Sequence, residues 1–534
     1  MKPGYSLAII VILGLLVYGN TLNGGLVWDD PLFIEDRSPI SHLENIPFFF
    51  TNNIARGTAM PHAVPYYRPL HMTAMALQYA LWGQNPFGYH LVNLILHIAL
   101  AILVYLLGRQ LALGEWGSLS AALLYTLHPV HSESVAYIGG NSELQYSLFY
   151  LAALYCYLRA RVSTGPAWLA GALLLYLCSL LTKESALTLP LLLLVFEAAD
   201  RSGPLSKRAL RVSLFAAISA LYLALRFQFV KEISWLDTPF ADRFYTSCGI
   251  VARYLWNLLA PFDLKVLYDI PVKLSLFRWD VAGPLLLVLA LGVILARLLR
   301  SSTERFSGLL MLLPMLPASG LPMILLPVPM ADRYLTLPLA GYALLASLLL
   351  ERWHSRVVTE PVVRRGGAGR LLRFSVPGAV FLIVCLVFGV MTVQRNLLWH
   401  DRETIARRMT VDAPGHFLGY ELLGTILGTQ GEYAAMAQSY LLAEQKTRDR
   451  NLEQGREYLR LGRAEEGLAL FDRMLKQFSS DPKVLNGMGE ALMMKGRSFE
   501  ALEMFRQGAR ICPSCTEIAE NLRKAESAGS WKAE

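Results

Sequence analysis

The sequence predicts an all-α protein, a polytopic membrane domain of about eleven spanning helices followed by a C-terminal α-solenoid. Three observations predict it. Of the 534 residues 54% are hydrophobic and the mean hydropathy is +0.39, more apolar surface than a soluble core can bury. The charged residues, 17% of the chain, avoid the long apolar runs and gather between them. Beyond Val393 the composition turns polar and a helical repeat begins.

A spanning helix needs about 20 apolar residues, because each residue rises about 1.5 Å through a hydrocarbon core about 30 Å thick. Runs of that kind fall at 5–22, 87–108, 116–130, 143–159, 166–182, 184–199, 209–229, 281–299, 307–328, 334–350 and 375–394. The first, opened by Met1-Lys2-Pro3-Gly4, lacks a small-x-small cleavage site and reads as an uncleaved signal anchor. The run 248–262 carries Arg253 and ends at Pro261, which predicts an interfacial or re-entrant segment.

Sidedness follows from the enrichment of Lys and Arg in short cytoplasmic loops. Arg159 and Arg161; Arg201, Lys207, Arg208 and Arg211; Arg297, Arg300 and Arg305; and Arg352, Arg356, Arg364, Arg365, Arg370 and Arg373 all fall on one side if the N-terminus is cytoplasmic. The net charge of +8 is therefore a topology signal, and no nucleic-acid partner is implied. The loops 23–86 and 230–280 and the C-terminal domain then share the opposite side, periplasmic if the protein sits in a bacterial inner membrane and lumenal otherwise. The domains expected are 1–394, membrane-embedded, and 395–534, repetitive.

Within 395–534, Leu485, Met488, Gly489, Leu492, Gly496, Ala501, Phe505 and Pro513 occupy the large, small and turn positions of a 34-residue helix-turn-helix unit. Gly455, Tyr458, Gly462, Gly467 and Phe471 repeat the spacing, and a weaker copy starts near His416. The pattern resembles the tetratricopeptide repeat, in about three copies, whose concave face suits a peptide or a partner helix. Cys512-Pro-Ser-Cys515 closes the last copy and is placed to form a local disulfide on an oxidising side. The other four cysteines lie in apolar runs as small hydrophobes.

Ionisable groups at membrane depth are expensive, so each is a functional candidate until a partner explains it. Trp28-Asp29-Asp30 follows the first span. Two adjacent carboxylates can supply a general base or a ligand for a divalent cation, and a loop turn or helix cap is the plain alternative. His128-Pro-Val-His131-Ser-Glu133 ends the third span, without the spacing of a zinc box. Lys183-Glu184 separates two apolar runs, as a mutual ion pair or with Lys183 on a phosphate. Asp332-Arg333-Tyr334 opens the tenth span, and Arg68 in Tyr66-Tyr67-Arg68-Pro69-Leu70 has the same chemistry, that of a cation meeting a lipid phosphate at headgroup depth. His90, Asn93 and His97 share one helical face and read as interhelical hydrogen bonds.

In order along the chain, Leu26-Val27-Trp28-Asp29-Asp30, Tyr67-Arg68-Pro69-Leu70, Tyr89-His90-Leu91-Val92-Asn93 through His97, His128-Pro129-Val130-His131-Ser132-Glu133, Lys183-Glu184, Ala331-Asp332-Arg333-Tyr334-Leu335 and Arg395-Asn396 with Trp399 resemble the transmembrane and tetratricopeptide repeat-containing O-mannosyltransferase family. That family has the GT-C membrane fold. The resemblance implies inverting transfer of a mannose-like sugar from a polyprenyl-phosphate carrier to a Ser or Thr hydroxyl. Asp29, with Asp30, would deprotonate or orient the acceptor; Arg333, Lys183 and Arg68 would hold the carrier phosphate; His128, His131, Glu133 and Asp332 would line the same site. About three repeats, where eukaryotic members carry more, and a Glu35-Asp36-Arg37 segment without their asparagine-rich spacing point to a bacterial-type relative. The rival readings are a non-enzymatic membrane scaffold presenting the repeats to protein partners and a transporter. A scaffold has no use for charges at so many helix ends, and a transporter predicts inverted repeats that the sequence does not display.

Overall fold

In the computed structural model residues 2–34, 38–54, 56, 66–163, 165–199, 204–230, 238–299, 301–321, 328–359 and 376–530 are described. Glu35-Asp36-Arg37, Arg201, Arg300, Arg364, Arg365, Arg370 and Arg373, on which expectations were placed, lie outside them. The described residues form α- and 3-10 helices joined by turns. They divide into two units, Met1–Tyr268 with Arg278–Arg408, and Asp269–Phe277 with Met409–Glu534.

In the first unit most of the predicted runs are helical over their described residues, with instructive differences. Among the described residues six helical stretches are long and apolar enough to cross a membrane: Pro3–Asn23, Pro86–Gln110, Leu205–Phe229, Trp279–Arg297, Asp332–Arg356 and Val376–Trp399. The run 307–328 does not form one helix. Ser302–Leu312 stops before Pro314, and among the run's described residues only Met315–Ala318 resumes, as expected where prolines remove helix N–H donors. The run 248–262 is the later half of a helix, Phe240–Leu259, whose polar side chains Asp242, Thr246 and Asn257 are buried while Phe240 and Trp256 face outward.

The unit as a whole buries polar groups within its apolar core and leaves apolar side chains outside. Its interior is rich in tyrosine and in polar groups such as Asn93, His97 and Glu133, and its outside carries Leu16, Leu286, Leu287 and Leu386 with more than half their surface exposed. Such a distribution is stable only where the surroundings are themselves apolar. Small residues let helices close in: a side chain on Gly341 would run into the backbone of Leu310 and Met311 in the neighbouring helix.

In the second unit successive helices pair as hairpins: Phe417–Thr429, Tyr433–Arg460, Ala464–Gln477, Pro482–Met494, Ser498–Ile511 and Thr516–Ser530. Three turns share one design. Gly431, Gly462 and Gly496 take left-handed φ of 83°, 73° and 71°, and the following N–H groups of Glu432, Arg463 and Arg497 reach back 2.9 Å to the carbonyls of Leu427, Tyr458 and Leu492. Phe471 fits between Gly455 and Gly487, and Phe505 against Gly489, so the aromatic–glycine contact recurs one repeat later. The Tyr433–Arg460 helix runs unbroken for 28 residues where two repeat helices were expected to meet, because Glu444–Asn451 contains neither Gly nor Pro. Cys512 and Cys515 form a disulfide. The segment Asp269–Phe277 joins this unit's core: Leu274 is buried with Leu452, Tyr458 and Phe471, and Arg450 binds the Asp269 carboxylate at 2.9 Å and the Ile270 carbonyl at 2.7 Å.

Candidate functional site

The Trp28-Asp29-Asp30 turn places two adjacent carboxylates in different situations. Asp30 is 2% exposed and is used up by backbone: one oxygen accepts from Val27 N–H at 2.9 Å, the other from Gly139 N–H at 2.8 Å. Asp29 keeps a buried Oδ1 with no hydrogen-bond partner among the described residues. Burial raises its pKa, with the Arg333 charge opposing. The pKa of Asp30 is pushed up further by burial and by the charge of Asp29. The pair is thus a scaffold carboxylate beside one with capacity to accept a proton.

Arg333 is the cation nearest in effect. Its guanidinium pairs with Glu133, whose other oxygen accepts from the Arg333 backbone N–H at 3.1 Å. It also stacks 5.6 Å from the Trp28 ring centre, 5.8 Å from Tyr137 and 5.0 Å from Tyr334. Asp332 turns the other way. Fully buried, it accepts from Tyr268 Oη at 2.7 Å and Asn257 Nδ2 at 3.0 Å, and pairs with Arg395 at 2.8 Å. Arg395 in turn donates to the carbonyls of Leu264 and Lys265. Asp332 therefore anchors the turn that presents Arg333.

Tyr334 borders a cavity of about 450 Å³ that holds the remaining predicted cations. Arg68 makes a two-point pair with Glu184, at 2.6 and 3.1 Å, and lies 4.0 Å over the Tyr66 ring. Lys183 pairs with Glu143 and sits 4.6 Å over the Tyr334 ring. Lys183 and Glu184 do not pair with each other, as the sequence suggested they could; Lys183 is turned to Glu143 on the helix Asn141–Val162 and Glu184 to Arg68 just before the helix Pro69–Trp82. Arg226 adds a third cation to the lining. Glu143 and Glu184, the partners of Lys183 and Arg68, line it too, and much of the remainder is apolar, from Leu191, Leu223, Leu316 and Leu321. A phosphate entering such a cavity meets Lys and Arg donors, and an attached hydrocarbon chain meets leucine.

The histidines separate from this group. His128 binds the Leu258 carbonyl at 3.1 Å and packs edge-on against Phe388, tying two helices together. His131 lies between Tyr125 and His97, at 4.4 and 4.7 Å between ring centres. Neither lines the cavity; of that motif only Glu133 reaches the site, through Arg333. Tyr137, Tyr146 and Arg226 were not singled out from the sequence, and their only signal was an aromatic or cationic residue at the end of an apolar run. Among the described residues no three His, Cys, Asp or Glu side chains come together to hold a metal ion.

No protein-family model matches the chain. Its relatives by sequence are protein O-mannosyl-transferases, the kind that the order of its motifs predicts. Protein O-mannosyl-transferase F38B6.6 of Caenorhabditis elegans is 28% identical over 363 residues, which are 65% of this chain and 51% of that protein. Protein O-mannosyl-transferase Tmtc1 of Drosophila melanogaster is 26% identical over 530 residues, 79% of this chain and 59% of that protein. The chain spans about half the length of these curated relatives. Among solved structures, ArnT of Cupriavidus metallidurans bound to undecaprenyl phosphate covers 84% of this chain and 78% of its own at 16% identity, with a TM-score of 0.39.

Proposed function

We propose that the protein is an integral-membrane glycosyltransferase of GT-C type that moves a mannose-like sugar from a polyprenyl-phosphate carrier to the hydroxyl of a protein acceptor. The observation that carries this reading is the Asp29 carboxylate, with a buried oxygen unengaged and the Arg333 charge beside it, where Arg333 packs on Tyr334 at the edge of a mainly apolar cavity that holds Lys183, Arg68 and Arg226. The acceptor O–H gives its proton to Asp29 as its oxygen bonds to the anomeric carbon. The carbon–oxygen bond to phosphate breaks, and both its electrons leave on the carrier. The phosphate thereby gains a negative charge, which Lys183, Arg68 and Arg333 are placed to stabilise. Leu191, Leu223, Leu316 and Leu321 would accompany the polyprenyl chain.

The second unit is read as a tetratricopeptide-repeat domain that holds the acceptor. The distribution of Lys and Arg supports a cytoplasmic N-terminus, with chemistry and repeats on the opposite side. Polyprenyl-phosphate mannose and glucose, offered to the protein in liposomes, test the reading. Loss of turnover in Asp29→Asn is expected, and full activity in both Asp29→Asn and Asp30→Asn would sink it.

A further inference from the structure

Trp28 is one of two non-glycine residues with positive φ among those described, at 52°. A large side chain in that region is strained, and such strain persists only where the surroundings hold it. The surroundings here are aromatic. The Trp28 ring lies 5.9 Å from Tyr137 and 6.4 Å from Trp399, which are 5.5 Å from each other, with interplanar angles of 26°, 16° and 26°. Three rings at those separations form a triangular, nearly parallel pile, and Trp399 within it is fully buried. The same turn is clamped on its other side by Asp30, which binds Val27 N–H and Gly139 N–H and so fixes residues 27–30 against residues 137–139. Arg333 stacks on both Trp28 and Tyr137.

From these contacts we infer that Trp28 is a positioning residue: its ring, held in the pile, enforces the left-handed turn that aims the Asp29 carboxyl, and the same ring seats the Arg333 guanidinium opposite. Base and cation are thereby set by one side chain that itself takes no part in the chemistry. On the same inference the ring shields Asp29 from water. The inference rests on the transferase reading for its catalytic consequence, whereas its geometric content stands apart from it.

The full-length chain in liposomes, as wild type and as Trp28→Phe, Trp28→Ala and Trp28→Gly, provides the test. Labelling of Asp29 by dicyclohexylcarbodiimide, which attacks the protonated carboxyl, is followed against pH and located by peptide mass mapping. Trp28→Phe should keep the labelling midpoint, whereas Ala and Gly, by admitting water, should move it to lower pH. Turnover of polyprenyl-phosphate mannose should fall about 100-fold in kcat for Ala and Gly with donor KM within about threefold, and stay within about threefold of wild type for Phe, since misplacement of a base by about an ångström has that scale of effect. Trp28→Gly should unfold at a temperature no lower than Trp28→Ala, because glycine tolerates the left-handed turn; it also serves if the alanine variant does not fold. Equal midpoints and turnover in Phe and Ala overturn the inference, as does a wild-type Asp29 that takes no label at any pH. A midpoint that moves in Ala and Gly but not in Phe, in a protein that transfers no sugar, upholds the positioning and removes the transferase reading.

Discussion

Arg68 and Glu184, 116 residues apart in sequence, meet through two parallel contacts at 2.6 and 3.1 Å inside the cavity. The glutamate holds the guanidinium plane in place, and the arginine keeps unused donor capacity for a ligand. The same pair serves fold and binding, and the two roles separate by mutation.

Glu184→Gln leaves Arg68 buried without its counter-charge and is expected to cost about 3 kcal/mol of stability. Replacing both residues by methionine should recover most of that loss yet raise the donor KM by at least tenfold. Thermal unfolding in detergent and donor saturation curves read the two effects independently.

The pH dependence follows from Asp29. A base acts only when ionised, and burial holds this carboxyl protonated to higher pH than usual, so kcat/KM should fall on acidification at a pH above the ordinary carboxylate range. Arg333→Gln removes the opposing positive charge, which must raise the Asp29 pKa further. The acid limb of the pH–rate profile should then shift to higher pH; a shift to lower pH contradicts the assignment.

Asp30 predicts a different phenotype from its neighbour. An asparagine there offers one carbonyl to two backbone donors, so Asp30→Asn should lower stability by about 1–3 kcal/mol. Asp29→Asn, which breaks no hydrogen bond made by the side chain's buried Oδ1, should leave the melting temperature nearly unchanged while abolishing turnover. Melting curves of the two variants give the comparison.

In the second unit a methyl group on Gly487 would collide with the Phe471 ring. Gly487→Ala should therefore destabilise that unit by about 1–3 kcal/mol, and adding Phe471→Leu should restore part of it. Limited proteolysis after residue 409 reports the loss and its rescue.

Much of the helical architecture is legible in the sequence, because a run of apolar residues long enough to span a membrane is a signal that few other structures produce. The first half of helix Phe240–Leu259 was missed since the residues it buries, Asp242, Thr246 and Ser247, are polar, whereas the later half buries Ile250, Tyr254, Leu255 and Leu258. At the site, Asp29, Arg68, Lys183 and Arg333 were legible because a charge beside an apolar run is anomalous. Their partners were not. Lys183 meets Glu143 across 40 residues and Arg333 meets Glu133 across 200, and hydrophobic periodicity carries no information on which two helices become neighbours. The unequal roles of Asp29 and Asp30 were equally hidden, since they depend on the amide of Gly139 in a distant turn.

The nine residues Asp269–Phe277 carry a consequence for any attempt to dissect the protein. They are covalently part of the stretch between Leu259 and Trp279, yet Leu274 and the acceptors of Arg450 belong to the core of the second unit. No single scission of the chain therefore isolates that unit intact: a fragment beginning at Met409 is released with a gap in its core, and a fragment ending at Arg408 carries away the missing piece.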